Sequence, residues 1–447
     1  MSSSIKLSRR DLMRLLAAGY SATSLSGWLP LLARAHAAEI EKPRTCILLW
    51  MPGGPSQLDT FDPKPGHENG GEFAAIDTSV SGIQICEHLP QLARHMDQIA
   101  LIRSMKTKEG DHSRATYHLR TGYRPGGPIQ YPALGSLVAN EYRELPGDLP
   151  HYVSILSDPF LNPAAYASGF LGPQFAPLQV GNSRGNRNAP ASEYGAPLEV
   201  RDIALAPGIS LERNLERMQL LEFTDGQFAK DRTGLPTASH AAAYQQAYRM
   251  MQSPAMKAFR LEEEPATIRD AYGKNRFGQA CLLARRLVEV GVPFIEVALN
   301  GVDGGQLGWD THQQNFASVK GLCQVLDAGC AALLSDLKGR GLLETTTIIW
   351  MGEFGRTPII NGMGGRDHFP NAWSVFLAGG GIRGGQVYGS TTEAGTEIKD
   401  SPVAVNQLFA TILSALGLDP KKQNLSDVGR PIRLAEPEVE PIQQLLV

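Results

Sequence analysis

Cysteine is scarce in this 447-residue chain. The five present, Cys46, Cys86, Cys281, Cys323 and Cys330, form no C-x-x-C pair, and their odd number and scatter exclude a disulfide framework. Cys323 and Cys330 fall on one predicted helix about 10 Å apart along its axis, too far to bridge, so they read as small core residues. An excess of charge of one sign is lacking too. Forty-two Lys and Arg stand against 45 Asp and Glu, a net charge of −3 with His neutral, which gives no electrostatic footprint for nucleic acid. The apolar stretch ending at Leu32 is broken by Gly19, Ser21, Ser24, Ser26, Gly27 and Pro30, so a permanent membrane span is not expected of it. Disorder is excluded by a 42% hydrophobic content, which can bury the core of one large domain or two medium ones.

What the first residues do have is a paired arginine, Arg9-Arg10, inside a basic stretch running from Lys6 to Arg14. A moderately apolar segment and Ala35-His36-Ala37 follow, the three-part layout of a cleavable twin-arginine signal. Residues 1–37 are therefore expected to be read by the twin-arginine translocase and removed after Ala37. The mature chain, 38–447, would then work in the periplasm or otherwise outside the cytoplasm. This segment carries five basic residues against Asp11, so the remainder is more acidic than the whole.

Beyond it, five short apolar runs without alternation suit strands of a parallel sheet covered on both faces: Thr45 to Met51, Gln98 to Arg103, Val292 to Leu299, Thr345 to Met351 and Ala372 to Ala378. Helical periodicity runs from Phe277 to Val290 and from Phe316 to Leu337. Ser401-Pro402 reads as N-cap and first residue of a helix stopping at Gly417. Strands alternating with helices predict an α/β fold, a three-layer sandwich with a central mostly parallel sheet. The stretch from about 145 to 210, dense in Pro, Gly, Asn and Ser, reads as a loop-rich insertion over the sheet edge.

Ligands of open α/β sheets gather beyond the carboxyl ends of strands, so the loops there are where chemistry is expected. They hold Ser56, Asp59 and Asp62; Asp111, His112, Ser113 and Arg114; Asp310 and His312; Glu353 and Arg356; and Arg366, Asp367 and His368. Carboxylates and imidazoles brought to one edge can bind a divalent metal, zinc or manganese for such a mixed set. Asp310 and His312 are either ligands or a turn ahead of the long helix. Asp367-His368 is either a ligand pair or a solvated glycine-rich turn, and Glu353 either belongs to a site or pairs with Arg356. Two other patterns are set aside. Gly379 to Gly384 satisfies G-x-G-x-x-G, but no helix follows to hold a pyrophosphate. Gly181 to Gly185 satisfies G-x-S-x-G around Ser183, but no helix follows there either.

At these loops the sequence resembles the family called domain of unknown function 1501, placed within the alkaline-phosphatase-like, or sulfatase-like, superfamily. The resemblance rests on Gly53-Gly-Pro-Ser-Gln-Leu-Asp59-Thr-Phe-Asp62-Pro-Lys64, Ser104 to Tyr123, Cys281 to Glu289, Trp309-Asp-Thr-His312, Gly352-Glu-Phe-Gly-Arg-Thr-Pro358, Gly365-Arg-Asp-His368 and Ala378 to Gly385. It implies an alkaline-phosphatase-like sheet with a metal site at its carboxyl edge, and hydrolysis of phosphate or sulfate esters of small molecules or glycans. The superfamily pattern implies that Asp310, His312 and His368 hold one metal, with Glu353 replacing an Asp-His pair of a second and Asp59 a substitute for its first-strand acid. The superfamily's nucleophile position falls on His112, as ligand or general acid, with Ser113 beside it as nucleophile. Arg114, Arg356 and Arg366 would contact the anion. The rival implied by these replacements is a degenerate member, a binding or assembly protein without turnover.

Overall fold

The structure, a computed structural model, describes residues 44–181, 197–200, 203, 205, 208–230, 235–302, 307–436 and 439–447. The signal segment 1–37 and Ser183 lie outside them. From Arg44 onward the chain forms one unit.

Among the described residues, nine strands build the main sheet: β1 (Thr45–Trp50), β2 (Ile99–Lys106), β3 (Tyr152–Ile155), β4 (Leu178–Val180), β5 (Phe294–Ala298), β6 (Thr346–Met351), β7 (Trp373–Gly379), β8 (Gln386–Tyr388) and β9 (Val403–Ala404). Their order is β8-β2-β7-β6-β1-β5-β3-β4, with β9 also on β2. All pair in parallel except β7, which runs antiparallel to both β6 and β2. The carboxyl ends of β1, β2, β5 and β6 therefore share one edge, and β7 begins there. The G-x-G-x-x-G glycines follow β7 and lie at the opposite edge, where Gly379 pairs with Thr347 at the start of β6.

Every residue of β1 is buried. Its side chains alternate between two cores: Ile47 and Leu49 join the one under α5 (Arg276–Glu289) and α6 (Asn315–Gly339), while Cys46, Leu48 and Trp50 join the one under α2 (Leu134–Glu141) and α7 (Val405–Ala415). Two helical layers on one sheet explain why the strands read as continuous apolar runs, and the expected three-layer sandwich is the observed one. The cysteines are all buried and free.

Two expectations are corrected. Ser401-Pro402 does not open α7; the helix starts at Val405 behind Ala404, because Val403 and Ala404 first pair with Met105 and Lys106 of β2. The region from about 145 to 210 is not only loop: β3 and β4 come from it and extend the sheet beyond β5.

Of the remaining long helices, α3 (Leu211–Lys230) and α4 (Leu235–Gln252) fall between β4 and β5 in the chain, and α1 (His112–Thr121) follows β2 at the carboxyl edge. Its far end is tied to the sheet by Arg120, whose guanidinium meets Glu296 of β5 through Nη1 to Oε1 at 2.7 Å and Nη2 to Oε2 at 2.5 Å. Tyr152 and Ser157 hydroxyls donate to the same carboxylate. Burial opposes ionisation of Glu296, yet the charge and hydrogen bonds of Arg120 hold its carboxyl below the usual range.

Candidate metal centre

Each side chain of the candidate site is placed by a local device. Asp111 caps α1, its carboxylate accepting from the Arg114 backbone at 3.0 Å, and this fixes His112 as the first helical residue. Gly53, in the loop after β1, has φ of +110°, and a Cβ there would stand 2.4 Å from the backbone nitrogen of Asp310. Only glycine lets those two loops meet. Asn361 donates to the His312 carbonyl at 2.9 Å, which holds the loop before β7 against the loop before α6.

The outcome is a convergence on one oxygen. Asp310 Oδ1 lies 3.2 Å from His112 Nε2, 3.1 Å from His312 Nε2 and 3.4 Å from His368 Nε2. His312 and His368 bring their Nε2 atoms within 3.0 Å of each other. Each ring is held from behind: His112 Nδ1 faces Glu353 Oε1 at 2.7 Å, His312 Nδ1 faces Asp367 Oδ1 at 2.7 Å, and His368 Nδ1 faces the Gly110 carbonyl at 2.8 Å. Those three partners can only accept, so every Nδ1 carries a hydrogen. In neutral rings the three Nε2 lone pairs then face inward, toward a carboxylate oxygen that is also an acceptor. Such a set is repulsive unless positive charge sits among it, as protons or as a cation. His112 Nε2 is buried and not aligned for a hydrogen bond to any neighbour, despite its 3.2 Å approach to Asp310.

This donor set fits a divalent metal. Among the described residues, His112, Asp310 and His368 offer ligand atoms all within 4.8 Å of one another. Nitrogen and oxygen ligands around zinc at about 2.0 to 2.1 Å are spaced by about 3.3 Å in a tetrahedron, and the approaches to Asp310 span 3.1 to 3.4 Å. Backing each imidazole with a carboxylate or carbonyl is the usual support of a metal-ligating histidine.

Without a cation, protons must fill the place. Burial pushes the His112 imidazole toward neutrality, but the two carboxylates it faces win and raise its pKa to about 9. Burial likewise opposes charge on Asp310, yet His112, His368 and the Arg356 guanidinium hold its carboxyl far below the ordinary range.

Several sequence-expected residues are elsewhere engaged. Glu353 is fully buried and reaches the site only through His112; its Oε1 also accepts from the Gly53 backbone at 2.8 Å. Its expected place as a ligand is corrected to one behind the ligand, since it faces the outward nitrogen of the ring. Asp59 departs further: its carboxylate is taken by Arg366, through Nε at 2.7 Å and Nη2 at 3.0 Å, and by Asn315 at 2.8 Å. Arg366 is thereby removed from anion binding, with its remaining donors on backbone carbonyls. Arg356 is buried against the Gly53 and Gly54 carbonyls and Asp310, 2.6 Å away, so it clamps a candidate ligand and presents no free face to an anion. Arg114 turns aside to a two-point contact with Glu109. Ser113 follows His112 in the first turn of α1, its carbonyl accepting from Asn162. Sequence reasoning did not find the supporting part played by Asp367, the Gly110 carbonyl or Asn361, nor the Phe354 ring, whose centroid lies 4.9 Å from His112 and 4.7 Å from His368. Phe354 carried one signal, its place directly after Glu353.

The family model described as Protein of unknown function (DUF1501) matches residues 43–446. The chain belongs to this family. No curated protein matches it. Solved structures similar to this DUF1501 chain include the lipoteichoic acid synthase LtaP from Listeria monocytogenes, at 10% identity over 88% of this chain and 75% of that one, with a TM-score of 0.40. A sulfatase from Pseudoalteromonas sp. shares 15% identity over 87% and 70%, with a TM-score of 0.37. An alkaline phosphatase from the Antarctic bacterium TAB5 shares 13% over 85% and 99%, also at 0.37. Likeness this distant carries no argument about chemistry, and the fold rests on the order and register of the sheet itself.

Proposed function

We propose that the chain is a metal-dependent hydrolase of phosphate or sulfate esters, exported by the twin-arginine route through Arg9-Arg10 and working in the periplasm. The observation that carries the chemical part is the inward convergence of three Nε2 atoms on Asp310 Oδ1. His112, His312, His368 and Asp310 would hold zinc or manganese, which supplies Lewis acidity toward an ester oxygen. The chain's own residues do the rest. Glu353, Asp367 and the Gly110 carbonyl orient the imidazoles, and Arg356 fixes the carboxylate. Ser113 follows His112 at the start of α1, and its hydroxyl is the proposed nucleophile.

A second reading has its own observation: Arg356 and Arg366 are fully buried on protein partners, and Arg114, though half exposed, is turned onto Glu109. A binding or assembly protein using the same site without turnover fits that engagement. Aryl phosphate and aryl sulfate panels on metal-loaded mature protein separate the two. Turnover that disappears in His368→Ala supports the hydrolase. Stoichiometric metal with no turnover of either ester class, in wild type and Ser113→Ala alike, supports the binding protein.

A further inference from the structure

Glu353 is set apart from the other acids near the centre by what it leaves unmade. Its side chain is fully buried, Oε1 accepts from both His112 Nδ1 and the Gly53 backbone, and Oε2 has no hydrogen-bond partner. An unpaired oxygen in a buried carboxylate is costly, and a residue kept only to hold loops together would have no use for it. A glutamine would satisfy both donors through one carbonyl oxygen without burying a charge. The negative charge itself is therefore what distinguishes this residue from its neutral counterpart.

We infer that Glu353 is a positioning residue: it holds His112 with hydrogen on Nδ1 and Nε2 turned toward Asp310 and His368, and sets a fixed negative charge behind that ring. Resting on the metal reading, it follows that Glu353 strengthens cation binding without touching the cation. The two bonds to Oε1 also couple ring orientation to the β1 loop, because Gly53, the second donor, abuts Asp310. One carboxylate thus aligns two ligands on different loops.

The test uses the whole mature protein with nitrogen-15 labelled histidine, the His112 signal being assigned by its absence in His112→Gln. In metal-free wild type the Nδ1 hydrogen of His112 is expected as a strongly downfield, slowly exchanging resonance. Glu353→Gln should move it upfield. Zinc affinity of Glu353→Gln, read by competition with a chelating dye, should fall roughly 10- to 100-fold. Glu353→Asp, which restores the charge on a shorter arm, should recover part of that loss. Unchanged zinc affinity together with an unmoved resonance in Glu353→Gln overturns the inference. Should that variant not fold, lack of the downfield resonance in wild type overturns it equally. If wild type binds no zinc while the resonance behaves as expected, the metal reading fails and the positioning of His112 stands.

Discussion

Two clusters of opposite charge lie at the carboxyl edge of this sheet, and they are built from the same kinds of residue to opposite ends. Around Asp59 everything is closed: Arg366 and Asn315 donate to both oxygens, and Asp59 and Arg366 are each fully buried. Around Asp310 the arrangement is open, with one oxygen shared among three imidazoles and Arg356 and with His112 Nε2 left unsatisfied. Residue type does not separate a structural ion pair from a candidate site here. Acceptor atoms that converge on one another, so that protons or a cation must sit among them, do.

The contrast can be broken from its closed side with the largest expected effect. Arg366→Met strands the Asp59 carboxylate in the interior, and removing one partner of a buried pair costs about 3 to 5 kcal/mol. Urea unfolding of the metal-free protein should show that loss. A change within the error of the measurement would mean that the Asp59 pair is not the closed structural element described.

A second, smaller effect compares two histidines on α1. His112 is raised by the carboxylates it faces, whereas His118, buried with Nδ1 3.1 Å from the Thr107 hydroxyl, is lowered to about 4, by burial first and the Arg124 charge next. A depressed histidine is neutral when folded and takes up a proton more readily when unfolded. Its contribution to stability is complete above the unfolded value of about 6.5 and is lost as pH falls toward the folded one. Between about pH 7 and pH 5 this amounts to ~2 kcal/mol, and His118→Gln should flatten that part of the profile. An equal slope in wild type and variant would contradict it.

The smallest effect sharpens the open side. The His312 side chain is 40% exposed, and His312→Ala in the absence of metal should change stability by no more than about 0.5 kcal/mol, as ordinary surface substitutions do. Its consequence should appear only when zinc or manganese is offered, as lost affinity. A large loss without metal would make His312 structural.

The five strands read from apolar runs are present because each is covered on both faces, a condition that leaves its mark on every residue of β1 and β6. The direction of β7 was not legible, since an apolar run says nothing about polarity. Nor were β3 and β4: Leu178–Val180 is three residues long, too short for any period, and lies amid Pro, Gly and Asn. Asp310, His312 and His368 could be named because each falls beside a strand end at one edge. Their partners could not. Glu353 and Asp59 read alike as acids after strands, and only the tertiary pairing of Asp59 with Arg366, 307 positions away, separates a structural acid from one behind a ligand.

The central claim is that the open cluster is a metal site, and thermal unfolding with and without metal tests it most directly. A cation bound only to the folded state at 100 times its dissociation constant stabilises by about 2.7 kcal/mol. Wild-type mature protein, stripped with chelator and then offered zinc or manganese, should take up about one ion per chain and show a raised midpoint, while His368→Ala should show neither and His67→Ala, which loses only a ring nitrogen accepting from the Asn69 backbone, should match wild type in metal uptake and in the shift. No retained metal and no shift in wild type with either ion would contradict the account.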